Sequence, residues 1–175
     1  MREIKSFKDV CMIQKELDDA IIKERNIDSS LINNDKSMLA IIAECIEVSE
    51  ASPTTYKIWK ARQEFSPKAM QIEVVDVLHF IAQLCHRNNI IDGANSDWEF
   101  YWNTLQGHKF RDLNSGLLQL INKITSGTVK WMIHDFVILC NTLGYTKEEI
   151  YSTFAEKVAI NYDRTKKPVS EGGWN

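Results

Sequence analysis

The stretches LAIIAECIEV (39–48) and MQIEVVDVLHFIAQLC (70–85) decide how the chain folds. On a helical wheel of about 100° per residue, apolar positions nearly encircle both, the pattern of a helix buried on all sides. In the first stretch the exceptions are Glu44 and Glu47, three apart on one face, with Glu50 drifting off the stripe. In the second they are Glu73 and Asp76, again three apart. Two such helices packed antiparallel bring four carboxylates to one place. A buried carboxylate is costly unless it is paired or bound to a cation. One solution is a structural network with Lys or Arg, yet neither helix carries a basic residue on that face. The other is a hard divalent cation with oxygen ligands. Mg²⁺ suits a carboxylate site that keeps waters for substrate phosphates. A lone ExxE is explained by a solvated face; ExxE followed by ExxD on two apolar helices is far more specific.

A di-iron bundle needs a Glu from each of two helices and Glu-x-x-His from two more. Asp76-x-x-His79 imitates half of that pattern, but His86, His108 and His134 have no carboxylate three residues before them. His79 is therefore read as a satisfied histidine beside a pocket or as a contact to a substrate base.

Outward from these stretches the chain reads as helix after helix, an all-α fold. Only 7 Gly and 3 Pro in 175 residues are too few turns for a β-sandwich. Helices are expected over 6–25, 35–51, 67–88, 96–106, 113–125 and 129–143, and from Thr146 to about Arg164. Ser66-Pro67 reads as an N-cap with proline at the first helical position, and Thr146 with Glu149 as a capping box. Asn88-Asn89 and Asp92-Gly93 mark a loop, and Gly107 and Gly144 are stops. The expectation is one domain over 1–164 and a flexible tail over 165–175, broken by Pro168 and loosened by Gly172-Gly173. That tail, with Trp174 near its end, is expected to close over bound ligand.

Lys+Arg 21 against Asp+Glu 24 gives a net charge of -3, without the global basic footprint of a duplex-binding protein; no nucleic-acid partner is expected. No apolar run is long enough to span a membrane, and MREIKSFKDV (1–10) has no apolar signal core. Cys11, Cys45, Cys85 and Cys140 are far apart, without metal-site spacing, and read as reduced structural thiols of a cytoplasmic protein.

In the last helix Lys157, Asn161 and Arg164 lie at i, i+4 and i+7 on one face. Arg binds polyphosphate bidentately and Lys as a point charge. The alternative is a solvated face. Beside a four-carboxylate site the phosphate reading gains weight, and Lys166 and Lys167 add to the field.

These residues, taken in order, resemble a known family. Glu44-Cys-Ile-Glu47, then Tyr56-Lys-Ile-Trp59-Lys60, then Ile72-Glu73-Val-Val-Asp76-Val-Leu-His79-Phe80, then Lys157, Asn161 and Arg164 are similar to the dimeric, all-α dUTP diphosphatases of phages, some bacteria and trypanosomatids. Those enzymes belong to the all-α NTP pyrophosphatase superfamily with the MazG-type enzymes. Gln14 and Leu17-Asp18 resemble the family's opening helix, and Trp174-Asn175 an element of its tail. Three departures stand out. Ser52–Thr55 separates the first motif from the aromatic segment, Asp18 stands where some members have Asn, and Arg164-Thr165-Lys166-Lys167-Pro168 replaces an Arg-Gln-x-x-Gly-Tyr ending.

The resemblance implies Mg²⁺-dependent hydrolysis of dUTP to dUMP and pyrophosphate by a cytoplasmic homodimer, in nucleotide-pool sanitation and dTTP precursor supply. It implies Glu44, Glu47, Glu73 and Asp76 as metal ligands. Glu44, Glu47, Lys157 and Arg164 are the implied catalytic groups, with Glu44 favoured to activate water. Gln14, Asp18, Trp59, Lys60, His79, Phe80 and Asn161, with Lys157 and Arg164, are candidate substrate contacts, although plain core packing explains the aromatic ones equally well. Alternatives are a pyrophosphohydrolase for dCTP or for several nucleotides, and a non-catalytic helical partner protein. The apolar stretch 131–143 is either interface or core.

Overall fold

Capping chemistry sets where the helices begin. Ser6 and Asp9 form a reciprocal capping box ahead of α1 (Phe7–Glu24), and Asn33 caps α2 (Asn34–Ala51) through the Lys36 N–H. Ser66 caps α3 (Pro67–Arg87) with Pro67 in its first turn, as the sequence leads one to expect. Then follow α4 (Ile91–Thr104), α5 (Leu113–Thr125), α6 (Val129–Leu143) and α7 (Lys147–Lys166). The Thr146–Glu149 capping box opens α7, and Gly144, at φ 80, closes α6 in the left-handed region that suits glycine. The computed structural model describes residues 3–59, 64–167 and 171. Among them there is no strand, and besides the seven α-helices only a 3-10 turn at Ser29–Leu31. No helix among them is long and apolar enough to cross a membrane.

α3 is the axis of the bundle. It packs against α1, α2, α4, α6 and α7, and Val74, Val75, Val77, Leu78, Ile81, Ala82 and Cys85 are fully buried. α2 runs antiparallel to it: Asn34 Nδ2 donates to Asn88 Oδ1 at 2.9 Å and Ser37 Oγ to Gln83 Oε1 at 2.6 Å. That register places Glu44 and Glu47 opposite Asp76 and Glu73. α6 supplies core rather than a free face, with Met132, Ile133, Phe136, Val137, Leu139 and Cys140 buried. All four cysteines are free and buried.

The structure departs from the expected elements in three places. α4 begins at Ile91, so Asp92-Gly93 lies inside it. Contacts with α1 override the turn signal: Lys8 Nζ meets Asp92 Oδ1 at 2.8 Å, and the Lys8 N–H donates to Asn95 Oδ1 at 3.0 Å. Trp98, stacked on Phe7 at 4.6 Å, anchors the same pair. Second, α2 is not buried all round. Leu39 is 65% and Ile46 41% exposed, with Ala43 exposed between them. Third, α7 continues two residues beyond Arg164. Thr165 is buried, and Arg25 Nη2 donates to the carbonyls of Arg164 at 3.1 Å and Lys167 at 2.9 Å. The expected tail boundary thus falls within the helical body, while Trp174 and Asn175 lie outside the described residues.

Gly116 tests the packing between α5 and the loop before it. A Cβ there would meet ring carbons of Phe110 at 2.4 and 3.0 Å, and the Phe110 N–H is held by Thr142 Oγ1 at 3.0 Å. Alanine gains about 1 kcal/mol of helix propensity, against about 1–3 kcal/mol for overpacking. Gly116→Ala should therefore lower the unfolding free energy in a urea titration, by about 1 kcal/mol, and Phe110→Leu in the same chain should recover part of it. A gain in stability from Gly116→Ala alone contradicts this packing.

Candidate active site

Three helices bring the acidic motifs and the basic face together. Oxygens of Glu44 and Glu47 on α2 and Glu73 on α3 all lie within 4.8 Å of one another. Asp76, one turn along α3, is drawn to α7, where Lys157 Nζ meets its Oδ2 at 2.5 Å. The basic partner that α2 and α3 lack thus comes from a third helix. It offsets part of the charge and, among the described residues, leaves the three glutamates without an ion-pair partner of their own.

The electrostatics follow. Burial, then Asp76, Glu47 and Glu73, push the Glu44 carboxyl up from 4.5 to about 7. Burial and the Asp76 charge raise Glu73, with Lys157 opposing. Burial also raises Asp76, against the hydrogen bond and charge of Lys157. All-oxygen donors that repel one another, Glu44 and Glu73 half-buried and Glu47 exposed, fit a hard divalent cation. His79 is not a member of that cluster; its Nδ1 is engaged by Gln14.

These side chains line one end of a cavity of about 600 Å³, a size that holds a small organic ligand. Arg164 and Asn161 line it from α7. The α1 face facing it has the spacing i, i+3, i+4, i+7 and i+8: Gln14, Leu17, Asp18, Ile21 and Ile22. Ile32 closes the wall, its carbonyl held by the Arg87 guanidinium. From Glu73 to Gln83, both in the lining, α3 rises about 15 Å at 1.5 Å per residue. The cavity therefore has a charged end and, roughly a nucleotide's length away, an end of mixed apolar and amide character.

That second end holds a continuous polar network. Asp18 accepts at Oδ1 from Gln14 Nε2, 2.7 Å, and at Oδ2 from Gln83 Nε2, 3.0 Å, and His86 Nε2, 2.7 Å. Gln14 Oε1 lies 2.5 Å from His79 Nδ1. The His79 ring stacks on Phe154 at 4.3 Å, and burial and the Lys157 charge push it down to about 3, so it is neutral. Hydrogen bonds to a charged group are worth about 1.5–3 kcal/mol each, which accounts for how a carboxylate sits this deep.

Of the residues singled out in the sequence, Gln14, Asp18, Glu44, Glu47, Glu73, Asp76, His79, Phe80, Lys157, Asn161 and Arg164 all line this cavity. Trp59 does not: it is 72% exposed, edge-on to Tyr56 at 6.2 Å. Lys60 lies outside the described residues. Gln83 and His86 escaped the sequence reading, although they continue the polar side of α3 that starts at Glu73 and Asp76. Ser37 and Ile32 carried no signal, since only the α2–α3 register places them here.

Fold and site together define a helical centre in which a cluster of carboxylates and a basic helix face meet at one cavity. A family model described as dUTPase matches residues 6–168, nearly the whole chain. The chain belongs to this family, and its activity is that of a dUTP diphosphatase. That sets aside the reading of a non-catalytic helical partner. No curated protein matches the chain significantly.

The Glu44 value carries a signed prediction. A carboxyl raised from 4.5 to about 7 makes the folded state the tighter proton binder between those values. Its contribution to stability is present at low pH and is lost as pH rises through that window. In EDTA, the melting temperature should fall more steeply between pH 5 and 8 in wild type than in Glu44→Gln. Parallel profiles contradict a strained Glu44.

Proposed function

We propose that the chain hydrolyses dUTP to dUMP and pyrophosphate with Mg²⁺ held by Glu44, Glu47, Glu73 and Asp76. The observation that carries this reading is the cluster of Glu44, Glu47 and Glu73 oxygens within 4.8 Å, lining the same cavity as Lys157 and Arg164. When bound, Mg²⁺ would neutralise phosphate charge and make water more acidic. Glu44, in the first acidic pair, accepts the proton of the attacking water. Lys157 and Arg164 hold the phosphates and stabilise charge on the leaving group. The base and sugar occupy the other end, against Gln14, Asp18, His79, Phe80 and Asn161. Four buried free thiols support a cytoplasmic location.

The enzyme works as a homodimer in this reading. Leu39, Ala43 and Ile46 form an exposed apolar stripe on α2, and Ile58 and Trp59 are exposed nearby in sequence to its end. A second cavity, of about 810 Å³, is lined by Ile46 and Phe65 and shares Glu47 and Glu73 with the first. An apolar surface beside a charged site is where a second copy would exclude water. Trp59, placed outside the nucleotide cavity, is assigned to this surface. Leu39→Glu should shift the sedimenting species from dimer to monomer; an unchanged dimer excludes this face.

Pyrophosphate release with Mg²⁺ tests the chemistry. Glu47→Gln and Asp76→Asn should lose at least about 100-fold in kcat and keep the helical circular dichroism spectrum. The wild type should turn over dUTP at least about tenfold faster than dTTP, roughly 1.4 kcal/mol in the transition state. Wild-type rates in either variant remove the metal assignment, and equal rates on all deoxynucleotides remove the uracil preference.

A further inference from the structure

The network behind the cavity has a direction, and one carboxylate sets it. An ionised Asp18 only accepts hydrogen bonds, so every group on it must turn a hydrogen toward it. Gln14 does so with Nε2 at 2.7 Å, and that choice points its Oε1 at His79. An amide oxygen also only accepts, so His79 must carry its proton on Nδ1, 2.5 Å away. A neutral ring with Nδ1–H has a bare lone pair on Nε2. That Nε2 is buried and has no partner among the described residues, although the ring lines the cavity. An unsatisfied buried acceptor in a cavity wall asks for a donor from whatever fills the cavity.

Asp18 holds this polarity only while it is itself held. His86 Nε2 at 2.7 Å and Gln83 Nε2 at 3.0 Å share its Oδ2, and the side chains of His86 and Asp18 are each 9% exposed. Gln83 is fixed in turn by Ser37 Oγ at 2.6 Å. His86 is the last member toward the protein exterior and touches none of the acidic cluster.

We propose that His86 is a positioning residue for base selection: by donating to Asp18 it locks the Asp18–Gln14–His79 chain in the one polarity that leaves His79 Nε2 an acceptor. This rests on the reading that the cavity holds the nucleotide. An acceptor in the wall matches a base with an imide N–H, such as uracil. It opposes a base with a lone pair at the same ring position, such as cytosine. Without His86, the buried Asp18 is one donor short and is neutralised by a proton; a protonated Asp18 can donate to Gln14 Oε1, so the amide reverses and the His79 proton moves to Nε2.

The test pairs a spectrum with a rate ratio. Long-range ¹H–¹⁵N spectra of the ligand-free protein should show His79 neutral and protonated on Nδ1. In His86→Leu the Nε2–H form should appear; in His86→Gln, which keeps a donor, it should not. The ratio of kcat/KM for dUTP over dCTP should fall at least about tenfold in His86→Leu and hold in His86→Gln. Should His86→Leu not fold, Asp18→Asn, whose amide can donate, is expected to give the same reversal. A His79 already protonated on Nε2 in the wild type, or a tautomer and ratio unmoved in these variants whatever their melting temperatures, overturns the proposal. A wild type that shows the expected spectrum but no dUTP turnover would instead count against the functional reading.

Discussion

The arrangement depends on the repulsion among four carboxylates at the crossing of α2 and α3. Each carboxylate alone would be solvated on an exposed helix. Here the antiparallel register puts Glu44 and Glu47 against Glu73 and Asp76, and burial removes part of the water that would screen Glu44, Glu73 and Asp76. One lysine, Lys157, reaches across from α7 and quiets Asp76. The imbalance that remains is stored in the raised Glu44 and Glu73 carboxyls. Such a cluster makes the ligand-free protein less stable than it need be and, by the same amount, favours a cation. It also explains why the cavity lies where it does, since α3 touches every helix that lines it.

The two ends of the cavity solve the problem of buried charge differently. At the acidic end the charges are left partly unpaired and open to a ligand. At the other end a single carboxylate, Asp18, is satisfied by three donors from α1 and α3. The first arrangement invites electrostatic work on phosphates; the second makes a rigid wall whose hydrogen-bond polarity is set in advance. α3 carries both, with Glu73 and Asp76 at one level and His79, Gln83 and His86 further along the same side.

Much of this was legible in the sequence because it rests on local rules. The ExxE and ExxD pairs, the Ser66-Pro67 start and the Thr146–Glu149 box depend on spacing alone, and each is where the spacing put it. The failures have a common cause, contacts distant in sequence. Asp92-Gly93 reads as a loop until Lys8 and Asn95 tie that turn to α1. LAIIAECIEV reads as fully buried, yet Leu39 and Ile46 face outward, because apolar periodicity alone does not fix how much of a helix its neighbours cover. Trp59 fits an aromatic motif and lies outside the cavity. His86 looked like a histidine without a carboxylate; its carboxylate, Asp18, is on another helix.

The most direct measurement of the central claim is calorimetric titration of Mg²⁺ into the ligand-free protein at pH 7, in two buffers of different ionisation enthalpy. With Glu44 poised at about 7, binding must expel a proton from a substantial fraction of molecules. The account predicts saturable binding whose apparent enthalpy changes with the buffer, and loss of that dependence in Glu44→Gln. No binding, or binding with no proton release, would contradict it.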